Sequence, residues 1–162
     1  MQRRTLARLT RCTLMVIATQ AFIAAQSATT KPSLVGSWEF TAKRDTSNSA
    51  ETLITGLATF TSDGTAIEAD TSEAALHLTP GHGIWQPGPA VGTTFIRFIS
   101  LAPNAQGALH AKRVVTMSVE LSATGDEFSG GYSFEVIDPA GHLLTSGSGS
   151  LVGQRIVHPL LP

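Results

Sequence analysis

Cysteine is almost absent from this chain: of its 162 residues only Cys12 is one, and it falls inside a stretch that reads as a removable leader. The remainder can form no disulfide, no thiolate nucleophile and no thiolate metal site. Runs of Lys or Arg are also missing beyond the first dozen residues. After a leader of 27 residues, seven Lys and Arg stand against twelve Asp and Glu, a net charge of −5. That balance argues against binding to nucleic acid or to an anionic membrane surface. Helical signals are scarce as well. No window carries a sustained 3.6-residue apolar stripe, and Ser72–His77 is the one short helical candidate, within a loop. Without helices there is no glycine loop feeding a helix N-terminus to cradle a phosphate, and no strand–turn–helix elbow for Ser148 within Gly147-Ser148-Gly149-Ser150. The five histidines fall in separate segments with no i, i+2 or i, i+4 pair, so no metal site is predicted, and no cofactor is implied.

The opening residues carry Arg3, Arg4, Arg8 and Arg11 and no acid, then an apolar run from Cys12 to Ala25, then Ala25-Gln26-Ser27. This is the order of a secretory signal, with cleavage expected before Ala28. The apolar run is shorter than the roughly 20 residues a bilayer-spanning helix needs. Residues 1–27 are thus read as a signal peptide, 28–33 as a short polar leader and 34–157 as a single domain. The expected location is periplasmic or extracellular, with no membrane span once the signal is removed. Arg3-Arg4-Thr5-Leu6 leaves the twin-arginine and the general export routes both open, and the oligomeric state is not assigned.

From Leu34 onward the chain reads as strands and turns. Eight strands are predicted: Leu34–Lys43, Glu51–Thr61, Thr65–Asp70, His82–Gln86, Gly92–Leu101, Ala108–Leu121, Glu127–Ile137 and His142–Ile156. Ser62-Asp63-Gly64 is the strongest hairpin signal, because Gly tolerates the positive φ of a tight turn. Eight strands in a meander suit closure, which removes both unpaired edges. The predicted fold is all-β, an eight-stranded antiparallel up-and-down barrel, with an open β-sandwich as the rival. Alternation supports one buried face per strand, Phe128, Tyr132, Phe134 and Val136 sharing a side of the seventh. Arg113 falls on the apolar side of the sixth, which puts it at a barrel rim or marks a shifted register. Glycines 147, 149 and 153 are expected where the eighth strand bends.

Gly36-Ser37-Trp38 on the first strand and Gly153-Gln154-Arg155 on the last resemble the calycin superfamily, the lipocalins and their barrel-shaped relatives. The resemblance implies that Trp38 plugs one end of the barrel and that Arg155 packs across its indole, a cation–π contact worth about 0.5–2 kcal/mol. It carries neither the lipocalin disulfide nor the other lipocalin signatures. Relatives of this kind bind small apolar molecules, and some are isomerases or cyclases.

The most distinctive local string is Thr79-Pro80-Gly81-His82-Gly83-Ile84-Trp85. Glycines on both sides of His82 leave its imidazole accessible for acid–base work or ligand orientation, with Trp85 beside it near a barrel mouth. The opposing reading is a glycine-shaped loop with His82 bonded to backbone and Trp85 in the core. Phe40, Phe60, Met117, Tyr132 and Phe134 are the predicted lining of an internal site, and the single tyrosine hydroxyl is a candidate internal donor. Three functions remain open: a barrel holding a small apolar ligand, an isomerase- or cyclase-type enzyme, and a filled barrel that acts through its outer surface.

Overall fold

The computed structural model describes residues 32–45, 53–90 and 92–157. The signal-peptide reading of 1–27, with Cys12 and the paired arginines, lies outside them. Eight strands follow one another: β1 (Gly36–Arg44), β2 (Leu53–Phe60), β3 (Thr65–Asp70), β4 (Gly81–Pro87), β5 (Thr93–Pro103), β6 (Leu109–Leu121), β7 (Glu127–Ile137) and β8 (Leu143–Arg155). One short helix, α1 (Ser72–Leu76), sits between β3 and β4. Each strand pairs antiparallel with the next, and β1 pairs with β8 from Trp38↔Arg155 to Arg44↔Gly149. The sheet is a closed up-and-down barrel, and the sandwich alternative is excluded.

Tight hairpins enforce that topology. At Thr61–Thr65, Asn104–Ala108 and Asp138–His142 the first residue's N–H donates to the fifth residue's carbonyl, and the Gly at the fourth position donates back to the first residue's carbonyl. Gly64, Gly107 and Gly141 hold positive φ there, the left-handed step that closes a three-residue hairpin loop. Side chains secure the loops: Asn104 Oδ1 accepts from the N–H groups of Gln106 and Ala108, and Asp138 Oδ1 from those of Ala140 and His142.

One end of the barrel is solid. Trp38 is fully buried there, its Nε1 donating to the Leu34 carbonyl at 2.8 Å. Leu34, predicted in the first strand, instead precedes it and folds under the indole. Phe128 lies 5.0 Å from Trp38, and Phe60, Ile96, Phe98, Val119 and Leu151 complete the plug. From outside, the Arg155 guanidinium lies 4.3 Å from the Trp38 ring centroid. Its nitrogens also donate to the carbonyls of Ser33, Val35 and Gly125. Arg155 thereby ties β1, β8 and the β6–β7 turn together.

The glycines of β8 are aromatic seats. Gly147, Gly149 and Gly153 are the register partners of Phe134, Tyr132 and Phe128 on β7. A Cβ added at each would fall 2.3–2.6 Å from a carbon of its partner's ring. Gly56 on β2 holds the Phe40 ring in the same way. Glycine's weakness in a strand is offset where a cross-strand ring covers it.

Candidate functional site

Away from the plug the barrel is hollow. A cavity of about 750 Å³ runs between the plug and the end formed by Arg44, Leu53, His110 and Leu144. Its walls are mostly apolar and include Phe40, Ile54, Val115, Met117, Phe134 and Val136. Leu76 and Leu78, from α1 and the segment after it, line it from the β3–β4 side.

Four of the predicted lining residues, Phe40, Met117, Tyr132 and Phe134, do line this cavity. Three other predicted site residues are elsewhere. Phe60 is part of the plug, packed against Phe98 and Trp85. Trp85 sits toward the plug end of β4 rather than at a mouth, its Nε1 donating to the Thr61 carbonyl at 2.9 Å. His82 is exposed on the outer face of β4, between Ile67 and Ile99 in register. The inward positions of that strand belong to Gly81, Gly83 and Trp85, so the flanking glycines serve Glu68 inside and the close approach of the β5 backbone at Arg97 and Phe98, not the imidazole.

Apart from the Tyr132 hydroxyl, the polar chemistry inside comes from residues that sequence reasoning did not select as site residues. On β3 the inward row is Ala66, Glu68 and Asp70, which leaves Ile67 half-exposed outside. Gly81 on β4 makes room for Glu68, since a Cβ there would lie 2.6 Å from Oε1. Arg113 meets both carboxylates, its Nη2 lying 3.1 Å from Glu68 Oε1 and 3.1 Å from Asp70 Oδ2. The same nitrogen is 3.4 Å from the buried Ser100 hydroxyl, and Nη1 donates to Ser72 Oγ at 2.9 Å. Arg113 is therefore neither a rim residue nor the mark of a slipped register. Its ladder positions opposite Ser100 and Val136 are regular, and its side chain is buried inside. Asp70 also anchors the start of α1, where its Oδ1 accepts the Ser72 N–H at 2.7 Å and the Ser72 hydroxyl.

This cluster is incompletely satisfied. Glu68 Oε2, Arg113 Nε and, on α1, Glu73 Oε1 are buried with no hydrogen-bond partner among the described residues, as is the Tyr132 hydroxyl on β7. Such groups ordinarily find a partner, and each one left without costs about 1–3 kcal/mol. Burial pushes the Glu68 carboxyl up to about 7, with neighbouring Asp70 raising it further and Arg113 pulling it back. Burial also raises the Tyr132 hydroxyl above its ordinary value. One carboxyl oxygen is thus fixed by a guanidinium while the other is buried without a partner, and the carboxyl changes protonation state near neutrality.

Arg44 lies 4.4 Å over the Phe134 ring at the open end. Among the described residues no group of three or more His, Asp and Glu is placed to hold a metal ion, and no helix is long and apolar enough to cross a membrane. Comparison with family models, with curated proteins and with solved structures gives no match.

Proposed function

We propose that this chain is an exported, lipocalin-like barrel that holds a small, largely apolar molecule. The observation that carries this reading is the hollow half of the barrel, about 750 Å³ of mostly apolar space above a solid plug. An eight-stranded barrel can either fill its interior or keep room for one small ligand. Here Ala42, Ala102 and Ala111 face the interior where larger residues would close it. The Trp38–Arg155 closure supports the likeness to lipocalins, and the leader-like sequence of residues 1–27 supports export.

Native mass spectrometry of the protein purified from the cells that make it tests the reading. A bound mass of a few hundred daltons is expected, lost in an Ala111→Phe variant that fills the cavity. Protein that carries no adduct, and binds no apolar probe when offered one, overturns it.

A second reading has its own observation. Ile67, Ile84, Phe95, Ile99 and Leu101 are all exposed on the outer faces of β3, β4 and β5. A neighbouring set of large apolar side chains in water marks a contact surface. Sedimentation velocity of the wild type and of Ile84→Lys distinguishes a barrel that works through its wall from one that works through its interior.

A further inference from the structure

We propose that α1 is a pH-operated door to the cavity, latched while Arg113 balances the acids around Ser72 and released as the cluster of Glu68, Asp70 and Glu73 gathers negative charge. The latch belongs to the barrel itself and does not depend on which guest the cavity takes.

The strand wall has a gap where α1 sits. β3 and β4 pair only from Thr65↔Ile84 to Glu68↔Gly81, and beyond that point α1 and its flanking turns cover the opening. Ser72, Ala75 and Leu76 of α1, with Leu78 after it, line the cavity, yet no residue of α1 is buried. Little apolar contact therefore holds the helix down. Its start is held by polar contacts instead. Ser72 Oγ accepts from Arg113 Nη1 at 2.9 Å, while the Ser72 N–H and hydroxyl donate to Asp70 Oδ1. Both partners belong to the cluster that includes Glu68, since Arg113 Nη2 lies 3.1 Å from Glu68 Oε1 and 3.1 Å from Asp70 Oδ2.

The charges that meet here are unequal. β3 brings Glu68 and Asp70, α1 brings Glu73 with His77 at its far end, and β6 brings Arg113. β4 and β5 contribute Gly81 and Ser100, which do not ionise. Arg44, His110 and Tyr132 face the same cavity from β1, β6 and β7. Three carboxyls thus share one guanidinium. With Glu68 and Glu73 protonated, Arg113 and Asp70 compensate each other. Burial and the neighbouring Asp70 raise both glutamates, Glu68 to about 7, so the compensated state gives way near neutrality. Ionised Glu68 and Asp70 then repel Glu73, which α1 carries. The Glu68 side chain is 2% exposed, and an anion so placed gains by hydration. α1 is the neighbour that can yield, because β3, β4, β5 and β6 are joined in ladders. The door is shut in acid and loosens as pH rises through neutrality.

Spin labelling tests this on the whole chain with its one cysteine, Cys12, replaced by serine. A nitroxide on Ala74→Cys, exposed on α1, reports the door, and one on Ser129→Cys, exposed on β7 beside the plug residue Phe128, is the control. The mobile component of the Ala74→Cys label is expected to grow about tenfold between pH 5.5 and pH 8, with its midpoint near 7, while the control stays constant. In Glu68→Gln, which keeps the side-chain shape but cannot ionise, the α1 label should stay in its acid form throughout. A label that does not titrate, or that titrates equally in Glu68→Gln, overturns the proposal. Stopped-flow entry of N-phenyl-1-naphthylamine, an uncharged apolar probe, reads access to the cavity and should speed up by a similar factor. Probe entry that keeps its rate while α1 moves overturns the gating role. A probe that never binds overturns the ligand-holding reading instead, and the labels then decide the latch by themselves.

Discussion

Phe128 on β7 lies over Gly153, its register partner on β8, so closely that a Cβ on Gly153 would fall 2.3 Å from the Phe128 Cζ. The glycine is therefore a fitted part of the plug. Gly153→Ala is expected to destabilise the barrel by about 2–3 kcal/mol, the usual cost of overpacking a dense core. Adding Phe128→Leu, which withdraws the ring, recovers part of that loss. Urea denaturation of the single and double variants measures the coupling, and additive effects would show that the two residues do not act on each other.

Arg155 closes the barrel from outside through the Trp38 ring and three backbone carbonyls. Losing it removes a cation–π contact and leaves carbonyls short of donors, at an expected cost of about 2–4 kcal/mol for Arg155→Ala. Arg155→Lys should retain less than half of the contribution, because an ammonium cannot span several acceptors as a planar fork does. Thermal unfolding of both variants reads the difference.

Glu68 makes stability depend on pH in the direction opposite to a salt-bridged surface carboxylate. Its folded pKa, about 7, lies above the ordinary glutamate value of 4.5. Between those values the folded state holds the proton more tightly than the unfolded chain does. The contribution is thus fully present below pH 4.5 and is lost as pH rises through about 7. The Glu73 carboxyl, raised in the same direction by burial, acts with it. Denaturation at pH 5 and pH 8 should show a loss of about 1–3 kcal/mol at the higher pH, and Glu68→Gln should flatten most of that slope. Asp63 and Asp138 carry lowered pKa values and titrate below this window.

His82 sits on the outer wall, so His82→Ala should change stability by less than about 0.5 kcal/mol and leave binding of an apolar probe unaltered. Arg113→Met should do the reverse. It strands two buried carboxylates, for a loss of about 3–5 kcal/mol, and it releases Ser72 at the start of α1. Urea denaturation and probe titration of both variants check the contrast.

The barrel was legible because its signals are local. Period-two alternation set the inward rows of β6 from Ala111 onward and of β7, and β3 and β7 have the predicted boundaries. The polar centre was not legible, because β3 inverts the rule that alternation relies on. In Thr65-Ala66-Ile67-Glu68-Ala69-Asp70 the apolar Ile67 faces out and both acids face in. The pairing across the barrel reverses the usual preference: Arg113 inside needs an anion, and β3 supplies two on one face. The available clue was Arg113 itself on an otherwise apolar row, together with two carboxylates spaced i, i+2 on a short strand. His82 misled for a related reason, since glycines beside a residue show where space is needed but not on which side of the sheet.

Strand length varies around the barrel, from 13 residues in β6 and β8 to 6 in β3 and 7 in β4. At about 3.3 Å per residue, the wall is roughly twice as tall on one side as on the other, like a pipe cut at a slant. The notch on the low side holds α1, none of whose five residues is buried. Its moorings lie at its two ends: Arg113 and Asp70 to Ser72, and the paired hydrogen bonds of Thr71 with Thr55 and of Thr79 with Leu101. A segment held this lightly opens at a small fraction of the global unfolding free energy, while the plug end moves only when the whole barrel does. Local opening at the notch is thereby uncoupled from the stability of the plug.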